Sequence, residues 1–316
     1  MSVAVSSPNP SPKRSLHAQG GNVARRKFVN RLMLVLCILA AGLAILILGL
    51  VLFFLLSKGF TSLHLTLFTR EPNNIDIKAG GMSQSVFGTL VLLSISSVIG
   101  LPLGILGGIY QLEQRGKFAN TVRFFTDVLN GIPSIVIGIF AYAAVVAPIA
   151  ARHPGSGFSA YAGGFALGIL MIPTVMRTTE EILRLVPFSL REASLGLGAT
   201  RWRTMWSVVL PAARGGVITG IMLALARIAG ETAPLLFTIL GSEYFTTHRV
   251  FGSKLAIPTL NSPIDALPLR IYNYSQDVNP DRQALAWAGA VVLISLILIL
   301  SIAARFATRS NMQEEK

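Results

Sequence analysis

Apolar residues along this chain gather into runs of membrane-spanning length. Six segments, near 32–56, 86–110, 128–149, 158–176, 217–240 and 284–304, are each long enough to cross a hydrocarbon layer of roughly 30 Å, which takes about 20 helical residues. Each predicts a transmembrane helix, so the expected fold class is an all-α integral membrane protein with six spans. The first run carries no charge, and the fourth is the shortest and is rich in glycine (Gly163, Gly164, Gly168), which suits close helix packing better than lipid contact. The expected organisation is a disordered basic tail at 1–31, a first anchor helix at 32–56, an outer loop at 57–85, a core at 86–306 and a second tail at 307–316. The first apolar run, of about 25 residues, exceeds the h-region of a cleavable signal peptide, so it is expected to stay as an anchor.

One long polar segment interrupts the pattern: Glu192 to Pro211, EASLGLGATRWRTMWSVVLP. Ser189 followed by Glu192 has the form of a capping box, predicting a short helix from near Leu190, and Gly198 is placed to end it. Ala199 and Thr200 then form a turn, with Thr200 as N-cap of a basic, Trp-bearing helix from Arg201 to Leu210 that Pro211 is expected to stop. The loop 189–211 thus predicts two short helices projecting from the membrane.

Charge adds orientation. Hydrophobic residues make up 52% of the chain and charged ones 13%, against about 25% charged in a soluble domain. With the N-terminus inside, 18 of the 27 Lys and Arg fall on the cytoplasmic side, so both termini are expected there. The net charge of +13 then reflects topology, and no nucleic-acid partner is needed to explain it. In the fifth run the pair Arg227 and Glu231 lies too deep for snorkelling, where a central charge costs about 2.5–3.5 kcal/mol and normally faces a water-filled path or a partner. A salt bridge four residues apart is the plain alternative, but base before acid is its poorer order, and Gly230 and Pro234 weaken the helix beside it. A guanidinium matches an oxyanion edge and a carboxylate accepts from a protonated oxyanion. Arg227, Glu231 and the adjoining Thr232 therefore form the expected substrate path.

Enzyme chemistry finds little support. The Gly116-Lys117 pair is followed by Phe118, so the phosphate cradle of an ATPase is missing. His17, His64, His153 and His248 are scattered and Cys37 is the single cysteine, leaving no metal-ligand spacing. No catalytic, cofactor or metal residues are expected in this chain.

The loop also resembles the cytoplasmic EAA loop of ABC importer permeases, on Glu192, Ala193, Ser194, Gly198, Val208, Leu210 and Pro211, with Ser194 and Val208 as departures. Longer stretches are similar to the PstA-type permeases of phosphate importers: AGGMSQSVFGTL (79–90), LPLGILGGIYQLE (101–113), NGIPSIVIGIF (130–140), RTTEEILRLVPFSLREASLGLGAT (177–200), ARIAGETAPLLFT (226–238) and ALPLRIYNY (266–274). The resemblance implies a type I ABC importer permease fold with cytoplasmic coupling helices, in a bacterial inner membrane. It implies ATPase coupling through Glu192, Ala193, Ser194, Gly198, Leu210 and Pro211. Its implied partners are a second, PstC-like permease, PstB-like ATPase subunits holding ATP and Mg, and a PstS-like phosphate-binding protein. Membrane lipid surrounds the assembly. A permease for sulfate or molybdate and a proton-coupled secondary anion transporter are the competing expectations. Two further expectations concern the loops: 241–283, with Pro258, Pro263, Pro268 and Pro280, should be extended, and Arg177, Glu180 and Glu181 should form a solvated cluster.

Overall fold

A computed structural model describes residues 20–73, 76–77, 80–114, 116–153, 155–242, 247–249 and 256–310. Residues 1–19 and 311–316 of the expected tails lie outside that range. Two compact units divide the chain, one ending at Phe54 and the other beginning at Leu55. The first is the body of a single helix, α1, Gly20–Phe60. That helix begins inside the segment expected as tail, because GGNVARRKFVN holds no proline to stop it running out of the apolar run.

In the second unit the helices are α2 Thr66–Thr69, α3 Ser83–Glu113, α4 Lys117–Gly131, α5 Ser134–Ala141, α6 Ala147–Arg152, α7 Ala160–Arg184, α8 Phe188–Gly196, α9 Arg201–Thr204, α10 Leu210–Ala229, α11 Ala233–Thr238, α12 Leu267–Ser275 and α13 Pro280–Ser310. Wide π turns, Tyr142–Val146 and Met205–Val209, join α5 to α6 and α9 to α10. Among the described residues six helical stretches are long and apolar enough to cross a membrane: Arg25–Phe60, Ser83–Glu113, Ser134–Arg152, Ala160–Arg184, Arg201–Ala229 and Pro280–Phe306. A two-stranded antiparallel ribbon, β1 Thr247–Arg249 with β2 Ala256–Pro258, pairs His248 with Ile257. It falls within the segment 241–283.

Helix α7 organises the unit. Its span has the lowest mean hydropathy of the six, 1.3, and 67% of its most apolar 18-residue stretch is buried, because protein rather than lipid surrounds it. Its glycines let α3 come close: a Cβ on Gly164 would lie 2.3 Å from Ile95 Cγ2, and one on Gly163 2.8 Å from Leu92 Cδ2. Helix α3 answers with its own small residues, Gly100 against Met171 and Gly104 against Val175. In lipid such contact is driven by van der Waals packing, so the absence of side chains at the crossing is what allows it. The glycine-rich fourth span is thus the packing helix the sequence implied. Around it Leu92, Leu167, Met171, Ile228, Leu235 and Ile239 form the main core. A second cluster, Leu67, Met82, Leu267, Leu285 and Ala288, lies toward α12, and a third, Ile109, Leu183, Met205 and Val209, toward α8.

Three expectations change. The fifth span is Arg201–Ala229 rather than 217–240, since the helix ends before the second half of that apolar run and restarts as the short α11. Pro211 does not stop the helix that starts at Arg201. Proline lacks an N–H and its ring crowds the carbonyl four residues back, and the π turn Met205–Val209 just before it widens the coil where that carbonyl lies, so the axis continues. The segment 241–283 is not extended throughout: Pro268 occupies the first turn of α12, whose Leu267, Leu269, Arg270 and Tyr274 are buried. Proline's fixed φ suits that first turn, where its missing donor is not needed.

Candidate functional site

The charges of the fifth span stand at its end. Arg227 lies in the last turn of α10, and the chain leaves the helix at Gly230. The Glu231 amide still reaches the Ile228 carbonyl at 3.1 Å, while the Thr232 carbonyl accepts from Leu235 and Leu236 to start α11. This break is pinned by packing: a Cβ on Gly138 of α5 would fall 2.6 Å from Pro234 Cα. Arg227 and Glu231 are therefore not on one continuous helical face. Among the described residues no ion pair joins them or engages either one. Arg227 is exposed, with Glu231 and Thr232 half-buried. A cation in the last turn of α10 is well placed against the helix dipole, and two opposite charges near the break without a mutual bond suit a bound ion carrying both donor and acceptor oxygens.

The EAA-type loop builds a helical hairpin. α8 begins at Phe188 with Pro187 before it and no side-chain cap, so the Ser189–Glu192 capping box is not formed: Pro187, at φ −54° and ψ 135°, enters the helix two residues earlier than the box requires. Its other end follows the expectation. Gly198 has φ +85°, its amide donates to Leu195 O at 2.9 Å, and the Ala199 amide to Ser194 O at 3.2 Å. These two bonds are a Schellman cap, which needs the left-handed glycine. Thr200 caps α9, its side chain accepting from the Arg203 amide. Glu192 and Ala193 lie within α8, and Leu210 and Pro211 open α10.

The structure gives Ser194 a purpose its sequence position did not reveal. Its Oγ lies 2.9 Å from Thr204 Oγ1, tying α8 to α9. Arg191, also unforeseen, fixes α8 to the spans: its guanidinium bonds Glu113 at the end of α3, and the Leu183 carbonyl of α7, each at 3.0 Å.

Glu180 departs from the solvated cluster expected. It is 1% exposed and shared by Arg123 of α4 and Arg184 of α7, whereas Arg177 and Glu181 do pair in the open at 2.7 Å. A fully buried carboxylate needs such partners, and the decisive one, Arg123, comes from a helix far away in sequence.

A second buried pair lies at the α12 end. Asp265, 1% exposed, accepts at Oδ2 from Arg270 Nε at 2.7 Å and from the Ser85 hydroxyl of α3. Burial pushes the Asp265 carboxyl above the ordinary carboxylate range, opposed first by the Arg270 charge and then by the Ser85 hydrogen bond. Arg270 also donates to Ser242 O at 3.1 Å and lies over the Tyr274 ring, and the Leu267 amide donates to Thr89 Oγ1 at 2.8 Å. The return segment before α12 is thereby bolted to α3.

Among the described residues no group of three metal-ligating side chains assembles. What the fold does assemble is a multi-pass helical membrane protein, with a charged helix break at one level and a docked helical hairpin at another, the architecture of an importer permease. The chain belongs to the family of binding-protein-dependent transport system inner membrane components, whose pattern matches residues 100–311. It is 40% identical over 282 residues to the phosphate transport system permease protein PstA of Pasteurella multocida, covering 89% of this chain and 94% of that protein. The Yersinia pestis protein of the same name is also 40% identical, over 89% of this chain and 90% of its own length. The Mycobacterium tuberculosis phosphate transport system permease protein PstA 1 is 36% identical over 72% of this chain and 70% of its own. Among solved structures, a bacterial alginate ABC transporter aligns at TM-score 0.60 with 16% identity, over 92% of this chain and 98% of that one. The inward-facing MetNI methionine ABC transporter aligns at TM-score 0.51 with 21% identity, over 72% and 92%. At those identities the two structures establish the shared fold, which is the type I importer permease fold the loop motif implied.

Proposed function

We propose that this chain is one permease subunit of an ATP-driven importer of inorganic phosphate. The observation that carries the proposal is the break after α10, where Arg227, in the last turn of the span, and Glu231, just past its end, stand without an ion pair between them. Phosphate is favoured over other oxyanions by the 40% identity to relatives named as phosphate permeases. Arg227 supplies a permanent cation that attracts the anion, and Glu231 accepts a hydrogen bond from its protonated oxygen. A fully deprotonated sulfate lacks that proton and is repelled by the carboxylate, so the pair selects as well as binds. Thr232 completes the lining. The path accordingly leads past the break toward the α8 end.

The α8 end faces the cytoplasm, with both termini, and the α12 end faces outward. α8 inserts into a groove on an ATPase subunit that holds ATP and Mg, so hydrolysis belongs to that partner and this chain is not itself an enzyme. A second permease subunit completes the pathway, and a phosphate-binding protein delivers cargo to the α12 side. Arg191 and the Ser194–Thr204 contact carry motion of α8 into α3, α7 and the α9–α10 helix, whose far end is the Arg227 site.

The test is reconstitution of the assembled importer in proteoliposomes with ATP-dependent uptake of labelled phosphate. Arg227→Ala is expected to lower uptake at least tenfold with assembly intact, and sulfate is expected to compete weakly in the wild type and better in Glu231→Gln. Glu192→Ala is expected to weaken ATPase association while leaving membrane insertion unchanged. Uptake by Arg227→Ala at wild-type rate and affinity would falsify the path assignment.

A further inference from the structure

Below α8 the ends of α3 and α7 and the starts of α4 and α9 enclose a cleft of about 1300 Å³. Four guanidiniums line it, those of Arg123, Arg184, Arg191 and Arg201. Among the described residues, two carboxylates answer them. Glu113 on the wall is bound by Arg191, and the buried Glu180 is divided between Arg123 and Arg184. Arg201 has no ion pair among the described residues and is exposed. Arg123 retains a buried Nε with no hydrogen-bond partner. The described residues of the cleft therefore hold an excess of two positive charges, and its apolar walls, Leu185, Val186 and Val209 among them, concentrate that field. The 15-residue helix α4 also opens at its rim, from Gly116, with no side-chain cap.

Uncompensated guanidiniums in a concave site are selective in what they take. Their planar forks match the edges of a tetrahedral oxyanion and make charge-assisted bonds to it, which lysine would not do with the same geometry. We propose that this cleft is a second anion site, distinct from the Arg227–Glu231 break, that binds a phosphoryl group, either free orthophosphate or the phosphate of a lipid headgroup. An anion seated there bridges Arg201 on α9 to Arg184 on α7, across the hairpin that Arg191 and Ser194 hold. It locks α8 against the spans. Occupancy on the α8 side therefore governs how freely the hairpin moves, whatever cargo passes the break.

The experiment measures equilibrium binding of radiolabelled orthophosphate to the assembled importer in nanodiscs of neutral phosphatidylcholine, without nucleotide. Native mass spectrometry of the same complexes, in discs containing phosphatidylglycerol, counts retained anionic lipid. Arg201→Gln is the probe variant because the side chain is exposed and without an ion pair, with Arg201→Lys as the conservative control and Arg227→Ala to mark the path site. The expected result is a binding component that weakens roughly tenfold in Arg201→Gln, the worth of one charge-assisted hydrogen bond, is partly restored in Arg201→Lys, and is unaltered by Arg227→Ala. Loss confined to orthophosphate assigns the free anion, and loss confined to retained phosphatidylglycerol assigns the headgroup. Both isotherms and lipid counts identical in wild type and Arg201→Gln would overturn the proposal. So would dissociation of the ATPase subunit from Arg201→Gln with anion binding unchanged, since the cleft would then be a subunit contact.

Discussion

Replacing Arg270 with alanine isolates the energetics of the bolt between α12 and α3. Asp265 and Arg270 are 1% and 4% exposed, so deleting the cation leaves a buried carboxylate with no opposing charge, held by the Ser85 hydroxyl and the Ala266 backbone amide. Breaking a buried pair from one side costs about 3–5 kcal/mol. Asp265→Asn should cost less, about 1–3 kcal/mol, because Arg270 keeps the Ser242 carbonyl and the Tyr274 ring. The double variant should be more stable than Arg270→Ala alone, since no unpaired charge remains. The pH dependence has a defined sign. A carboxyl whose folded pKa is raised contributes stability that is fully present below its unfolded value, near 4, and is lost as pH rises through the folded value. Burial already raises Asp265, with the Arg270 charge as the main opposing cause. Removing Arg270 raises it further, so the deficit of Arg270→Ala should be largest at neutral pH and above and should shrink on acidification. Thermal unfolding of the purified chain in nanodiscs, read from about pH 5 to about pH 8, measures this directly, with Asp265→Asn/Arg270→Ala as the pH-insensitive reference. A deficit of the same size across that range, or a double variant no better than Arg270→Ala, would refute the reasoning.

Other perturbations read the hairpin and the helix crossings. Gly198→Ala meets no atom within 4 Å of its new Cβ, so its cost is the left-handed φ of +85° alone, about 1–2 kcal/mol; Gly198→Asn should recover much of it, as judged by uptake per ATP hydrolysed. Ser194→Ala removes the 2.9 Å bond to Thr204 and should loosen α8 by about 1 kcal/mol, seen as faster amide exchange in 188–200. Arg191→Gln severs the bonds to Glu113 and Leu183, and is expected to raise futile ATP hydrolysis more than it lowers folded yield. Gly88→Ala would place a Cβ 2.0 Å from the Asp265 carbonyl oxygen, a backbone atom that cannot rotate away, so it should destabilise by about 1–3 kcal/mol or more and disturb the Leu267–Thr89 bond, measured by unfolding of the same chain.

The spans and the second half of the hairpin were legible because their causes are local. Apolar length specifies a lipid-crossing helix, the αL requirement identifies Gly198, and a β-region threonine before a basic helix identifies Thr200. Non-local causes hid the rest. Nothing near Glu180 in sequence announces that Arg123 of α4 will cover it, and Asp265 sits among the prolines of 241–283 with no sign that Ser85 and Thr89 of α3 will receive its segment. The capping box failed because Pro187 had already set the entry, and Pro211 failed as a stop because a π turn, which few sequence rules anticipate, absorbed it. The charged break combines both cases. Arg227 and Glu231 stood out at once by the cost of charge in lipid, and Gly230 and Pro234 marked the helix as weak there, yet counting apolar length still drew one helix through 217–240. On that continuous helix a four-residue salt bridge would have been available. The turn that ends α10 at Ala229 and begins α11 at Ala233 removes the shared face, so the two charges do not satisfy each other along one helix. The same weakness that misled the span boundary is thus what keeps Arg227 and Glu231 off one helical face.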